Sequence, residues 1–105
     1  PYFIYELNET TIGYFRTSNW DDTSCYIGMD IHKKHRGQGY AKKAYREMMC
    51  YLKKKYKIKT FKLEVLDSNI RAINLYRKLG FVQTKKEVYK DEISIFMKLE
   101  GFNCD

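Results

Sequence analysis

The sequence predicts an α/β fold, a mixed β-sheet with helices on its faces. Three observations carry the prediction. Apolar alternation of period two switches twice to a helical rhythm, giving the order β-β-β-α-β-α-β-β. Two glycines, Gly37 and Gly39, join a strand-like run to a strongly amphipathic helical run. A second helical run stops at Gly80-Phe81, and two alternating segments follow it.

Each element has its own signal. Phe3 to Leu7 reads as a strand, Asn8-Glu9-Thr10 as a turn and Thr11 to Arg16 as the return strand, with Gly13 marking a bulge or a close contact. Asn19 to Ser24 is polar and loop-like apart from Trp20. Cys25, Ile27, Met29 and Ile31 share one face of the next strand; Tyr26, Gly28 and Asp30 share the other. From Gly39 to about Lys55, Ala41, Ala44, Tyr45, Met48, Met49 and Leu52 follow a helical rhythm. Lys53, Lys54 and Lys55 complement the dipole at the end of that helix. Ile58 to Leu66 alternates again, with Phe61, Leu63 and Val65 on one face and Lys62 and Glu64 on the other. Asp67-Ser68-Asn69 offers N-caps for a helix carrying Ala72, Ile73, Tyr76 and Leu79. Gly80 suits the residue after that helix, with Phe81 folding back on its last turn. Phe81 to Lys86 and Ile93 to Leu99 read as a final strand pair.

The 105 residues make one small domain, 1–105. Its 44% apolar and 31% charged residues are ordinary for a soluble globular protein, and 10 Tyr and 6 Phe supply much of the core bulk. No run of about 18 apolar residues is present to span a membrane. No signal-like apolar segment opens the chain, and Cys25, Cys50 and Cys104 are widely spaced. A reducing, intracellular, cytoplasmic setting is therefore expected, with no metal pattern and no disulfide framework. Buried or incidental cysteine is preferred to a nucleophilic thiol paired with His32 or His35. The net charge of +7 admits an anionic ligand, nucleic acid or simple solubility.

The stretch from His35 to Lys43 carries the functional signal. Glycines let backbone approach a ligand closely, and a helix start offers free N–H groups and a positive dipole end. Together these make an anion site, most often for phosphate. The loop is not a dinucleotide fingerprint, because Lys42 stands where the third glycine would be. It also lacks the Gly-Lys-Ser/Thr ending of a nucleoside-triphosphate loop.

Arg36-x-x-Gly39-x-Ala41 resembles the acyl-CoA-binding signature of the GNAT superfamily of N-acetyltransferases. Asn69-x-Arg71-Ala72-Ile73-x-Leu75-Tyr76-x-Lys78-Leu79-Gly80-Phe81 resembles the second motif of that family. The resemblance implies a GNAT-like sheet whose two neighbouring parallel strands splay around acetyl-CoA. It implies that Met29, Asp30 and Ile31 pair with the pantetheine amides. It also implies that Arg36, Gly37, Gln38, Gly39, Tyr40 and Ala41 hold the pyrophosphate, and that Asn69 and Tyr76 line the opposite wall. Lys33, Lys34, Lys42 and Lys43 would attract the anionic coenzyme. No metal is implied.

The implied reaction is direct acetyl transfer to an amine in a ternary complex. Such a site needs an acid for the leaving thiolate and a base for the amine. Tyr76 matches the family's acid, since a phenol is protonated at neutral pH. Glu64 is the candidate base, in a setting that resembles ribosomal-protein alanine acetyltransferases. The strand before the glycine loop, where other members carry a Glu or His, holds Cys25-Tyr26-Ile27 instead. Asp30 is a weaker candidate, and His32 and His35 fall to the solvated connector.

Family members usually open with a strand and one or two helices before the first hairpin, whereas this chain starts almost at the hairpin. An open acceptor groove, completion by further residues or a partner subunit is expected, and an unpaired sheet edge favours a homodimer. Protein N-termini, lysines, polyamines, aminoglycosides and nucleotide-linked amino sugars all suit as acceptors. The Glu64–Tyr76 resemblance inclines toward a peptide N-terminus, with Glu6, Glu9, Asp21 and Asp22 as local acidity. The alternatives are a non-catalytic CoA-binding or regulatory module and, last, a small basic nucleic-acid-binding domain.

Overall fold

The structure, a computed structural model, describes residues 2–7, 10–31, 34, 36 and 39–104. The chain forms β1 (Tyr2–Leu7), β2 (Thr10–Ser18), β3 (Ser24–Ile31), α1 (Tyr40–Tyr56), β4 (Thr60–Leu66), α2 (Ile70–Leu79), β5 (Val82–Tyr89) and β6 (Glu92–Glu100). This is the order expected from the periodicity. The strands form one six-stranded sheet in the order β1-β2-β3-β4-β6-β5. β3 and β4, linked through α1, run parallel, and the other neighbours are antiparallel.

Hydrophobic alternation decides which face is covered. Phe15, Cys25, Ile27, Phe61, Leu63, Val65, Met97 and Leu99 are buried on one face, and both helices pack there. Helix α1 contributes Ala44, Tyr45, Met49 and Leu52; α2 contributes Ile73 and Leu79. The opposite face carries Tyr14, Arg16, Glu64 and Leu66 toward solvent and, among the described residues, no helix. The alternation therefore reports one covered face, with charge and aromatic rings left on the other.

The helix ends follow from local chemistry. Asn69 caps α2 by accepting from the Ala72 N–H at 3.2 Å. Gly80, at φ 108°, ends it, with its N–H donating to the Arg77 carbonyl and the Phe81 N–H to the Tyr76 carbonyl, each at 3.0 Å. Phe81 is buried and meets the Tyr76 ring. β5 accordingly begins one residue later than the alternation suggested, because Phe81 belongs to the helix stop. The irregularity expected near Gly13 is a register shift between Tyr5 and Glu6, which pair with Gly13 and Thr11. Trp20 fastens the β2–β3 connection, donating to Thr17 Oγ1 at 2.9 Å and packing edge-on against Tyr56.

Candidate active site

The sheet opens at its centre. β3 and β4 pair only through Ser24, Cys25 and Tyr26 against Thr60, Phe61 and Lys62. β3 nevertheless continues to Ile31 and β4 to Leu66. Beyond Tyr26 the two strands part, and the β3 backbone facing β4 is left without a strand partner. Extended backbone in this state can accept an added strand-like ligand.

Two clefts meet at the split. On the helix side, a cleft of about 480 Å³ is lined by Arg36, Gly39, Tyr40, Ala41, Lys42 and Arg71, among others. On the open face, a cleft of about 510 Å³ is lined by Arg16, Tyr26, Glu64, Leu66 and Phe96, among others. Met29, Asp30, Asn69 and Tyr76 line both. The result is one passage through the plane of the sheet.

The helix-side cleft has a positive rim. Gly39 takes φ 79°, a left-handed conformation natural to glycine, and turns the chain into α1. The helix start has no side-chain cap and no acidic residue in its first turn. Its N–H groups and dipole therefore lack a counter-charge from the helix itself. Arg36, Lys42 and Arg71 add formal positive charge around the same space. Arg71, at the start of α2, was not among the expected ligands; its signal was a basic residue inside the second motif. Gly37 and Gln38 of the expected cradle lie outside the described residues, as do His32, Lys33 and His35.

Tyr76 reaches the passage from α2. Its hydroxyl lies 3.2 Å from that of Tyr45, and the two rings pack edge-on with centroids 5.6 Å apart. Tyr45 is 2% exposed, and burial, followed by the neighbouring Tyr76, pushes its phenol well above the usual value. Tyr45 thus stays a neutral hydrogen-bonding group behind Tyr76. Helical rhythm had marked Tyr45 only as core; its polar partner comes from another helix.

Glu64 approaches from the other side. It is exposed on the open face, opposite Phe96 in the sheet register. Tyr76 and Glu64 line the same cleft, one beneath the sheet and one above it. Lys85 stands nearby, its ammonium 4.6 Å from the centroid of the Phe96 ring and 2.8 Å from Glu87.

Two other candidate carboxylates, Asp30 and Asp21, are engaged. Asp30 is held by Arg16 at 2.6 Å. Arg16 lies across from Gly28, and a Cβ on Gly28 would come within 3.1 Å of its guanidinium. Gly28 therefore makes room for the pair. Asp21 accepts from the Thr23 N–H at 2.9 Å, the Ser24 N–H at 2.8 Å and the Ser24 hydroxyl at 2.7 Å. These bonds, that from Thr23 foremost, hold its carboxyl below the ordinary value. Asp21 thus serves the turn while keeping its negative charge. Cys25 is sealed in the core, and burial pushes its thiol up to about 11. At 0% exposure it is closed to any reagent, which suits packing and not nucleophilic attack.

Comparison with known proteins points the same way. Residues 1–81 match the family model described as Acetyltransferase (GNAT) family. A probable spermine N(1)-acetyltransferase of Bacillus subtilis subsp. natto (strain BEST195) is 32% identical over 72 residues, covering 66% of this chain and 47% of that protein. The spermine/spermidine N(1)-acetyltransferase of Bacillus subtilis (strain 168) is 31% identical over 72 residues, with the same coverage. The chain thus spans about half the length of the curated relatives it matches. Among solved structures, a spermidine N-acetyltransferase from Vibrio cholerae in complex with CoA and spermine gives a TM-score of 0.84 at 20% identity, covering 94% of this chain and 64% of that one. The Campylobacter jejuni N-acetyltransferase PseH in complex with acetyl coenzyme A gives 0.81 at 24% identity, covering 95% and 67%. At these identities the structural likeness establishes the fold.

Proposed function

The chain belongs to the GNAT acetyltransferase family, and on that premise we propose that it moves an acetyl group from acetyl-CoA to a primary amine of a polyamine. The observation that carries the proposal is the passage through the sheet. An uncapped, cation-rimmed helix start opens on one side of it, and Glu64 stands on the other.

Each residue then has a task. The first-turn N–H groups of α1, with Arg36, Lys42 and Arg71, neutralise the coenzyme phosphates. The backbone at Met29, Asp30 and Ile31 pairs with β2 on one edge and offers strand-like hydrogen bonds to the pantetheine arm along the edge that β4 has left. The amine nitrogen forms the new C–N bond as the thioester C–S bond breaks. Glu64 takes the amine proton through water, and Tyr76 gives its phenolic proton to the departing sulfur. Tyr45 holds the Tyr76 oxygen in place from behind.

Two observations favour a polyamine over the peptide N-terminus that the Glu64–Tyr76 resemblance suggested. The curated relatives are named for spermine and spermidine. The open-face cleft also sets the exposed Glu64 carboxylate beside the Tyr26 and Phe96 rings, a set suited to ammonium groups, while its Asp30 is paired with Arg16. The proposal includes a reducing intracellular setting, supported by three free thiols, and self-association through a sheet edge, for which β1 and β5 offer the strands.

The test is CoA release from acetyl-CoA with spermine, spermidine and a short peptide as acceptors. Turnover with both polyamines above that with the peptide is expected, alongside a coenzyme-induced rise in melting temperature. Preferred turnover of the peptide would move the acceptor class. A thermal shift with no CoA release across the panel would leave a coenzyme-binding module in place of an enzyme.

A further inference from the structure

Cys50 on α1 and Cys104 after β6 stand side by side, and the acetyl-transfer chemistry uses neither. The segment after β6 is fixed by Phe102, which is buried and packs edge-on against Phe61. The Arg46 guanidinium lies 5.5 Å from the Phe102 ring centroid, and the Lys53 ammonium donates to the Phe102 carbonyl. These contacts lay the segment along α1, where Cys104 neighbours Cys50 in the lining of one cavity. Both residues are half-buried, whereas Cys25 is sealed. Both line a cavity of about 610 Å³ with Gly39, Lys42, Lys43, Arg46 and Glu47. Three cations against one carboxylate leave that cavity formally positive.

We propose that Cys50 and Cys104 form a reversible dithiol–disulfide site whose co-reactant is an anionic low-molecular-weight disulfide. One thiol loses its proton and attacks a sulfur of the small disulfide. A mixed disulfide forms, and the first small thiol leaves. The second protein thiol, once deprotonated, attacks the protein sulfur of the mixed disulfide. The Cys50–Cys104 bond forms and the second small thiol departs. The protein dithiol is oxidised by two electrons and the small disulfide is reduced to two thiols. The positive rim concentrates an anionic reagent beside the thiols. Proximity makes the second step intramolecular and favours closure over a lasting adduct.

The groups around Cys50 set its pH response. Burial, followed by the neighbouring Cys104, pushes its thiol up to about 11, while Lys54 and Arg46 pull the other way. Lys42, Lys43 and Glu47 face the same cavity. Exchange begins from a thiolate, so the reaction quickens as pH rises toward that value.

The test uses glutathione disulfide as the anionic probe and cystamine as the cationic one, each rate divided by that of 2-mercaptoethanol with the same reagent. Free thiols are expected to fall from the three in the sequence to one. A Cys50–Cys104 cross-linked peptide should appear on non-reducing mapping and vanish with dithiothreitol. Cys104→Ser should stop at a glutathione adduct on Cys50, and Cys50→Ser at one on Cys104. Glutathione disulfide should lead cystamine by on the order of tenfold, with the gap closing in salt. A stable adduct on the unsubstituted protein, a cross-link between molecules or equal normalised rates would overturn the proposal.

Discussion

The phenolic oxygens of Tyr45 and Tyr76 lie 3.2 Å apart, joining the interior of α1 to the wall of the active cleft. In the proposed reaction Tyr76 gives up its proton, which would leave its oxygen anionic and in reach of a donor hydrogen from Tyr45. Tyr76→Phe should lower kcat by about a hundredfold to ten-thousandfold with KM for acetyl-CoA little changed. Tyr45→Phe removes one hydrogen bond to a charged oxygen, so kcat should fall about tenfold to a hundredfold with the fold intact. Steady-state kinetics and circular dichroism check both; an unaltered kcat in Tyr76→Phe removes it as the acid.

Glu64 stands exposed on the cleft opposite Tyr76. In the proposed reaction Glu64 takes the amine proton, so Glu64→Gln should cut kcat by about a hundredfold with KM for acetyl-CoA little changed. An unaltered kcat in the variant would assign the proton to another group.

Arg16 sets a positive charge in the acceptor cleft and occupies Asp30 at 2.6 Å. Arg16→Ala should lower KM for spermidine by about fivefold at low salt, the worth of roughly one screened unit charge. Stability should change little, because both partners are solvent-exposed. A raised KM would show that the guanidinium contacts the acceptor favourably.

Asp21 links stability to pH. Its folded carboxyl sits below the ordinary value of 3.8, so the native state favours the ionised form. The stabilisation is present above that value and is lost as pH falls through the lower folded one. Asp21→Ala should therefore melt earlier than the natural chain at neutral pH, with the difference closing below 3.8. Melting curves across that range decide it.

Gly80 ends α2 at φ 108°, with Leu99 Cδ1 3.2 Å from where a Cβ would sit. Gly80→Ala should destabilise the fold by about 1–2 kcal/mol through the left-handed backbone alone. That corresponds to a drop of roughly 4–8 °C in Tm per kcal/mol. A melting temperature unchanged by the substitution would mean that the helix end relaxes.

Much of the architecture was legible because its causes are local. Period-two and helical spacing marked every element, Asn69 marked a helix start, and Gly80-Phe81 marked its stop. Those signals depend on backbone geometry and on neighbours a few residues away. The helix start after Gly39, with no side-chain cap, was legible for the same reason, since a helix start carries its unsatisfied N–H groups wherever it lies.

Other features required chain segments distant in sequence to meet. The sequence marked Tyr45 as apolar-face filling; packing α1 against α2 gave its hydroxyl a partner in Tyr76. It offered Asp21 as local acidity; the tight turn to Ser24 gives that carboxylate a structural task as well. Cys50 and Cys104 looked incidental until Phe102 anchored one segment against the other. The divergence of β3 from β4 after Tyr26 is likewise invisible in either strand's alternation. By itself the sequence determined the elements, their order and the helix start that attracts an anion, because short-range sterics and hydrogen bonding decide those. Only the tertiary structure decided which side chains share the passage, because that depends on how far two parallel strands stay paired and which helices lie beside them.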